Sequence, residues 1–313
     1  EIDFDRLASR SAGFSGADIV SAVLQASAGA AGSGERVDHG TLETAIDGTT
    51  PSLGTTSSGE IPGYGFDRVA NLSDVKQRLT ESVIWQMQDP DRFTRLGIEP
   101  PRGLLLYGPP GTGKTYVIRA LAHESGAAFF PIKGAELLDK WVGESERAVR
   151  EVFARARAVA PAILFFDEID ALAPVRGNST NSVTDSVVAA LLTEMDGVSE
   201  RGDVFVIGAT NRRDLIDTAL LRPGRLEVHL RLGLPAPEAR RAFFDISDVP
   251  FADDVNLDDL VQQTEGLSFA ELSGLLREAA LIALRNDPSA ITVDAKGLDT
   301  AITSTSALAD HAE

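Results

Sequence analysis

Residues 108–115 read GPPGTGKT and fit the pattern G-x-x-x-x-G-K-[ST], whose residue types suit one kind of chemistry. A backbone turning through Gly108, Pro110, Gly111, Thr112 and Gly113 can aim successive N–H groups at an anion. The helix that follows offers its positive N-terminal end. Lys114 is placed to neutralise the β- and γ-phosphates of a nucleoside triphosphate, and the Thr115 hydroxyl to ligate Mg²⁺. Tyr116, next in the chain, joins the expected nucleotide contacts. A merely structural glycine turn would need neither the lysine nor the hydroxyl. The expected ligands are ATP or ADP with Mg²⁺.

Two further stretches carry groups that phosphoryl transfer uses. In ILFFDEID (163–170), Asp167 and Glu168 emerge from an apolar run. Asp167 would hold Mg²⁺ directly or through water, and Glu168 can polarise the attacking water. An Asp-Glu pair after an apolar run is by itself an ordinary solvated turn, so its weight comes from Lys114. A metal carboxylate beside a water-orienting one argues for hydrolysis and not binding alone. In IGATN (207–211), the Asn211 amide could fix that water or contact the γ-phosphate, or simply begin a turn.

These groups need a scaffold that delivers them to one edge. Short apolar runs at 104–107, 128–132, 163–166, 204–209 and 228–232 alternate with helical patterns, as strands buried on both faces do. The alternation predicts an α/β/α sandwich around a mostly parallel five-stranded sheet, with ligands at the carboxyl ends of the strands. The chain also repeats itself. The 28 residues from Phe4 align with those from Leu257, pairing Leu7 with Leu260, Gly13 with Gly266 and Ser15 with Ser268. Each copy carries Gly-x-Ser-x-Ala-acid ahead of a helix, with Ser15 or Ser268 as its N-cap. Between the copies, 14 of the 19 residues from Asp47 to Gly65 are Gly, Pro, Ser or Thr, which marks a linker or mobile loop.

Composition narrows the classes. The 313 residues are 43% hydrophobic, enough for a sizeable core and a smaller companion. No apolar run reaches the ~20 residues of a membrane-spanning helix, so membrane insertion is not expected. With no cysteine there is neither a disulfide nor a thiolate metal site, which fits a reducing, cytoplasmic setting. A net charge of −18 opposes non-specific attraction to nucleic acid, and no nucleic-acid partner is expected. The basic residues are 24 Arg and 5 Lys, a bias attributed here to a GC-rich bacterial genome.

Taken in order, GPPGTGKT, ILFFDEID, GATNRRDLIDTALLRPGRLE (208–227) and the Gly-x-Ser-x-Ala-acid helix resemble the AAA ATPases. Within them the chain is most similar to the second module of the valosin-containing-protein type, a tandem protein segregase. The resemblance, from about Phe66 to Ile302, implies a P-loop NTPase core at 66–236 and a helical lid at 237–313. It implies that 1–47 is the lid of a preceding module and 48–65 a linker, the chain being a piece of a tandem protein. It further implies a homo-hexamer that unfolds, threads or disassembles protein substrates.

By position, Arg222 and Arg225 match arginine fingers that reach a neighbouring subunit's γ-phosphate, where developing charge needs a cation; isolated arginines are otherwise surface-pair residues. Lys140, Trp141 and Val142 match a pore loop that grips extended polypeptide, the plainer role of a tryptophan being packing. The polar stretch 176–185 would be the second pore loop. The chain also departs from the pattern. FDRVANL (66–72) replaces Trp-Glu-Asp-Ile-Gly-Gly-Leu beside the adenine, Phe269 replaces a glycine, Arg213 a proline and Ser186 an arginine. Rival classes are a clamp loader or helicase, which should present a basic surface; a single-module severing or membrane-extracting relative; and a nucleotide-binding scaffold with weak turnover.

Overall fold

The structure, a computed structural model, describes residues 16–33, 37–49, 62–134, 145–174, 182–198 and 204–309, with isolated positions 2, 4, 7, 11 and 137. The chain begins with helices α1 (Gly16–Ser33) and α2 (His39–Gly48), which pack on each other around Ala22, Ala26 and Ala45. Asp38 caps α2 by accepting from the Thr41 N–H at 2.8 Å, while Thr41 accepts in return from the Asp38 N–H. The expected cap Ser15 and most of the Gly/Ser/Thr-rich linker lie outside the described residues.

Helix α3 (Ser73–Leu79) leads through a π turn (Thr80–Ile84) toward the sheet. The five apolar runs become β1 (Gly103–Tyr107), β2 (Ala128–Lys133), β3 (Ala162–Asp167), β4 (Val204–Thr210) and β5 (Val228–Arg231). They pair in the order β2-β3-β4-β1-β5, every pair parallel. Leu104, Leu105 and Leu106 are all fully buried. Such unbroken runs occur because helices cover both faces of the sheet. Helix α4 (Lys114–Ser125) covers one face, where Val117, Ile118 and Leu121 meet Phe129 and Phe165. Helices α5 (Ser145–Ala158) and α6 (Ser182–Asp196) cover the other. There Val149, Phe153 and Leu191 meet Leu164 and Phe166. Part of the stretch expected as a second pore loop is therefore helical, from Ser182 onward; residues 175–181 lie outside the described set.

Register decides what shares an edge. Tyr107 pairs with Thr210 and Phe166 with Gly208, so Gly108, Asp167 and Asn211 leave the sheet as near neighbours. This is the carboxyl edge, where the chain passes from β1 out to the sheet margin at β2 and a crevice opens.

Helices α7 (Pro237–Asp245), α8 (Leu257–Gln263), α9 (Phe269–Asn286) and α10 (Ala295–Ala309) form a second body around Phe244, Leu272, Leu275, Leu276 and Ala279. Proline starts α7 at a position where its missing N–H costs nothing. Ser268 starts α9 in a capping box: it donates its N–H to Glu271 Oε2 at 2.7 Å and its Oγ accepts from the Glu271 N–H at 3.3 Å. No helix among the described residues is long and apolar enough to cross a membrane.

Candidate nucleotide site

The loop after β1 turns on three glycines with positive φ: Gly108 (148°), Gly111 (72°) and Gly113 (85°). Close approach adds to the demand at Gly111, where a Cβ would lie 2.6 Å from Ser268 Oγ. Thr112 closes the turn by donating its hydroxyl to the Pro109 carbonyl at 2.9 Å. Lys114, nearly buried, donates Nζ to the Gly108 and Pro109 carbonyls at 3.0 and 2.8 Å. Desolvation pushes its ammonium below the ordinary lysine range, and Asp167 opposes that shift. An anion in the loop would meet a lysine already poised beside the backbone.

The two expected metal ligands are in contact: Thr115 donates its hydroxyl to Asp167 Oδ2 at 2.9 Å. A hydroxyl and a carboxylate at hydrogen-bond distance form an all-oxygen pair of the kind Mg²⁺ takes, leaving other positions to water and phosphate. Glu168 is exposed and holds a left-handed φ of 53°, its N–H donating to Asp167 Oδ1 at 3.1 Å. That angle is uncommon for glutamate and re-aims the chain immediately after the metal carboxylate. Asn211 is exposed at the end of β4 and lines the same cavity. Behind it, Thr210 donates its hydroxyl to Asp170 at 2.6 Å and accepts from the Arg212 N–H at 2.9 Å, which holds the turn.

The cavity has a volume of about 900 Å³, within the range of small-molecule sites, and its walls come from both bodies. Pro110 to Tyr116 form one end. Val69, Ala70 and Leu72 from the core, with Ile246 and Val249 from the lid, line the more apolar end. Of the two residues that replace glycines, Asn71 takes φ 50°, a left-handed angle asparagine tolerates, and passes it on to Leu72 at 63°. Ala70 needs no such angle. Phe269 opens α9 against the phosphate loop. Its Cδ2 stands 3.8 Å from where a Gly113 Cβ would be, and its ring packs on Phe243 with centroids 5.7 Å apart. Arg68 and Arg277 also line the cavity, and neither falls in the phosphate-binding motif.

The two arginines of LRPGRLE differ. Arg222 is exposed, and among the described residues no hydrogen bond or ion pair holds its side chain. Arg225 is engaged within its own chain. Its Nε and Nη2 donate to the two oxygens of Asp196 at 2.8 Å each, and its Nη1 to the Ala219 carbonyl at 2.8 Å. That hydrogen bond holds the Asp196 carboxyl below the usual carboxylate range. Reaching across to another subunit would require Arg225 to leave these partners. Lys140, Trp141 and Val142 lie outside the described residues.

Residues 104–234 match the family described as ATPase family associated with various cellular activities (AAA), and residues 254–296 match the AAA+ lid domain. Together they cover more than half of the chain. This protein belongs to the AAA ATPases. Among its AAA relatives, the Cell division cycle protein 48 homolog of Archaeoglobus fulgidus is 52% identical over 229 residues, 72% of this chain and 31% of the relative. Protein SAV of Sulfolobus acidocaldarius is 41% identical over 312 residues, 91% of this chain and 40% of the relative. The human ATPase family gene 2 protein homolog A is 47% identical over 247 residues, 78% of this chain and 28% of the relative. The chain thus spans well under half the length of these AAA proteins. They are archaeal and eukaryotic and give no support to the bacterial source inferred from arginine usage, which codon composition alone does not decide.

Proposed function

We propose that this AAA module hydrolyses ATP in the cavity between core and lid, within a hexameric ring that unfolds, threads or disassembles proteins. What carries the reading is the meeting of Lys114, Thr115–Asp167 and Glu168 at one strand edge, facing one cavity. Backbone N–H groups of residues 110–114 bind and orient the triphosphate, and Lys114 turns from its carbonyl partners to the β- and γ-oxygens. Thr115 and Asp167 would hold Mg²⁺, which would supply charge neutralisation at the phosphates. The Glu168 carboxylate takes a proton from the attacking water, and the Asn211 amide orients that water. Arg222, exposed and without a hydrogen bond or ion pair among the described residues, stabilises the developing charge in a neighbouring copy, while Arg225 positions the finger loop through Asp196.

The proposed domain limits are 1–47 for the lid of a preceding module, 48–65 for the linker, 66–236 for the core and 237–313 for the lid. The alignment with Protein SAV takes in 91% of the chain, more than residues 66–313 occupy, so part of residues 1–65 also has a counterpart in that relative. Lys140, Trp141 and Val142 are proposed as the pore loop that grips substrate. A weakly hydrolysing scaffold is the second reading, favoured by the Phe269 ring over the phosphate loop.

Phosphate release from assembled protein decides between the two. Glu168→Gln is expected to retain ATP and lose about 10²- to 10⁴-fold in rate. Equal inertness of both proteins would leave the scaffold standing. Trp141→Ala is expected to spare ATP turnover and abolish remodelling of a protein substrate; normal remodelling by that variant would end the threading proposal.

A further inference from the structure

Lid and core are separate bodies with separate interiors, and the cavity lies between them. Among the described residues, two hydrogen-bonded contacts join them beside it. At the phosphate end the Ala270 N–H donates to the Gly111 carbonyl at 3.1 Å. At the apolar end Arg68 Nη2 donates to both oxygens of Asp248, at 2.9 Å each, across 180 residues of sequence. Both side chains line the cavity.

The backbone that presents Arg68 is fastened to the core. Lys76 Nζ donates to the Phe66 and Val69 carbonyls at 2.8 and 2.7 Å, the Phe66 N–H to Glu124 at 2.8 Å, and the Tyr116 hydroxyl to the Arg68 carbonyl at 3.2 Å. Asp248 belongs to the lid, three residues past the end of α7. The same cavity is lined by residues 110–115 and by Val69, Ala70, Leu72, Ile246 and Val249, so a triphosphate held by residues 110–115 would have this apolar stretch to receive its base. A base seated there would lie near the ion pair, whose two side chains line the same cavity, and parting of core and lid would free it.

We propose that Arg68 and Asp248 form an electrostatic latch that holds the lid on the core at the base end of the cavity and sets how long nucleotide stays bound. Arg68 is a positioning residue: it acts through the lid angle. The proposal rests on the nucleotide reading of the cavity. Both side chains reach solvent, 44% and 84% exposed, so the effect is modest and screened by salt. Opening of a lid commonly limits product release, which is where the latch acts.

The test is the release rate of a fluorescent ADP from the full chain, displaced by excess ADP, at low and high ionic strength. Arg68→Ala and Asp248→Ala are each expected to release it about two- to fivefold faster at low salt. The exchanged pair, Arg68→Asp with Asp248→Arg, is expected to return toward the wild-type rate. At 1 M salt, where the screening length is about 3 Å, all four proteins should converge. Single variants that release ADP at the wild-type rate, an exchanged pair no slower than the singles, or a difference that persists at high salt would each overturn the latch while leaving the nucleotide site intact. Absence of any ADP binding to the wild-type chain would sink both.

Discussion

At Gly108 the backbone turns at φ 148°, and a Cβ there would lie 1.8 Å from the Leu232 carbonyl oxygen. Leu232 cannot yield easily, because its N–H donates to the Tyr107 carbonyl at 2.9 Å and ties the exit of β5 to that of β1. Gly108→Ala is therefore expected to cost at least about 1–3 kcal/mol in strain and to shift the phosphate loop. Thermal unfolding together with ATP titration calorimetry checks this; wild-type values in both would contradict it. The need for glycine at 108 was legible from the motif, but its cause, a carbonyl just past a strand more than a hundred residues later, was not. Glu168 teaches the same lesson. Its position after an apolar run marked it as a candidate, and only the fold shows the left-handed angle that sets it apart from an ordinary turn residue.

Among the elements, α9 does two jobs that its sequence announces only in part. Leu272, Leu275, Leu276 and Ala279 mark its buried face at helical spacing, and Ser268 with Glu271 marks its start. That the same capped end rests on the phosphate loop follows from the Ala270–Gly111 hydrogen bond and the tight approach of Ser268 to Gly111. Ser268→Ala should then lower lid stability by about 1 kcal/mol, the usual worth of an N-cap, and weaken ATP binding as well. Calorimetric unfolding with and without ATP would reveal both effects. A loss of stability with unchanged affinity would mean that the cap serves the lid alone. The strands were the most legible elements, since all five apolar runs form β-strands in one sheet. Burial on both faces writes a continuous apolar run that needs no partner to be recognised.

For the molecule as a whole, Arg222 and Arg225 show where spacing stops informing. Three residues apart in one motif, they looked equivalent. Packing places one against Asp196 and leaves the other exposed. Finger action in trans predicts complementation. Arg222→Ala subunits keep an intact site without a donor, and Glu168→Gln subunits keep the donor without a working site. Each protein alone is expected to be nearly inactive, and a mixture to recover a measurable share of ATP turnover. A mixture no more active than its parts would place the completing arginine elsewhere. By its sequence alone this protein declared a phosphate loop, two carboxylates, a parallel sheet and a capped lid helix. Each of these depends on residues near one another in the chain, whose spacing is set by backbone geometry. Tertiary structure decided the pairing of Arg68 with Asp248, the retention of Arg225 by Asp196 and the seat of Phe269 on the phosphate loop. Those contacts join segments tens to hundreds of residues apart, and their partners are chosen by how the two bodies pack, which no local spacing encodes.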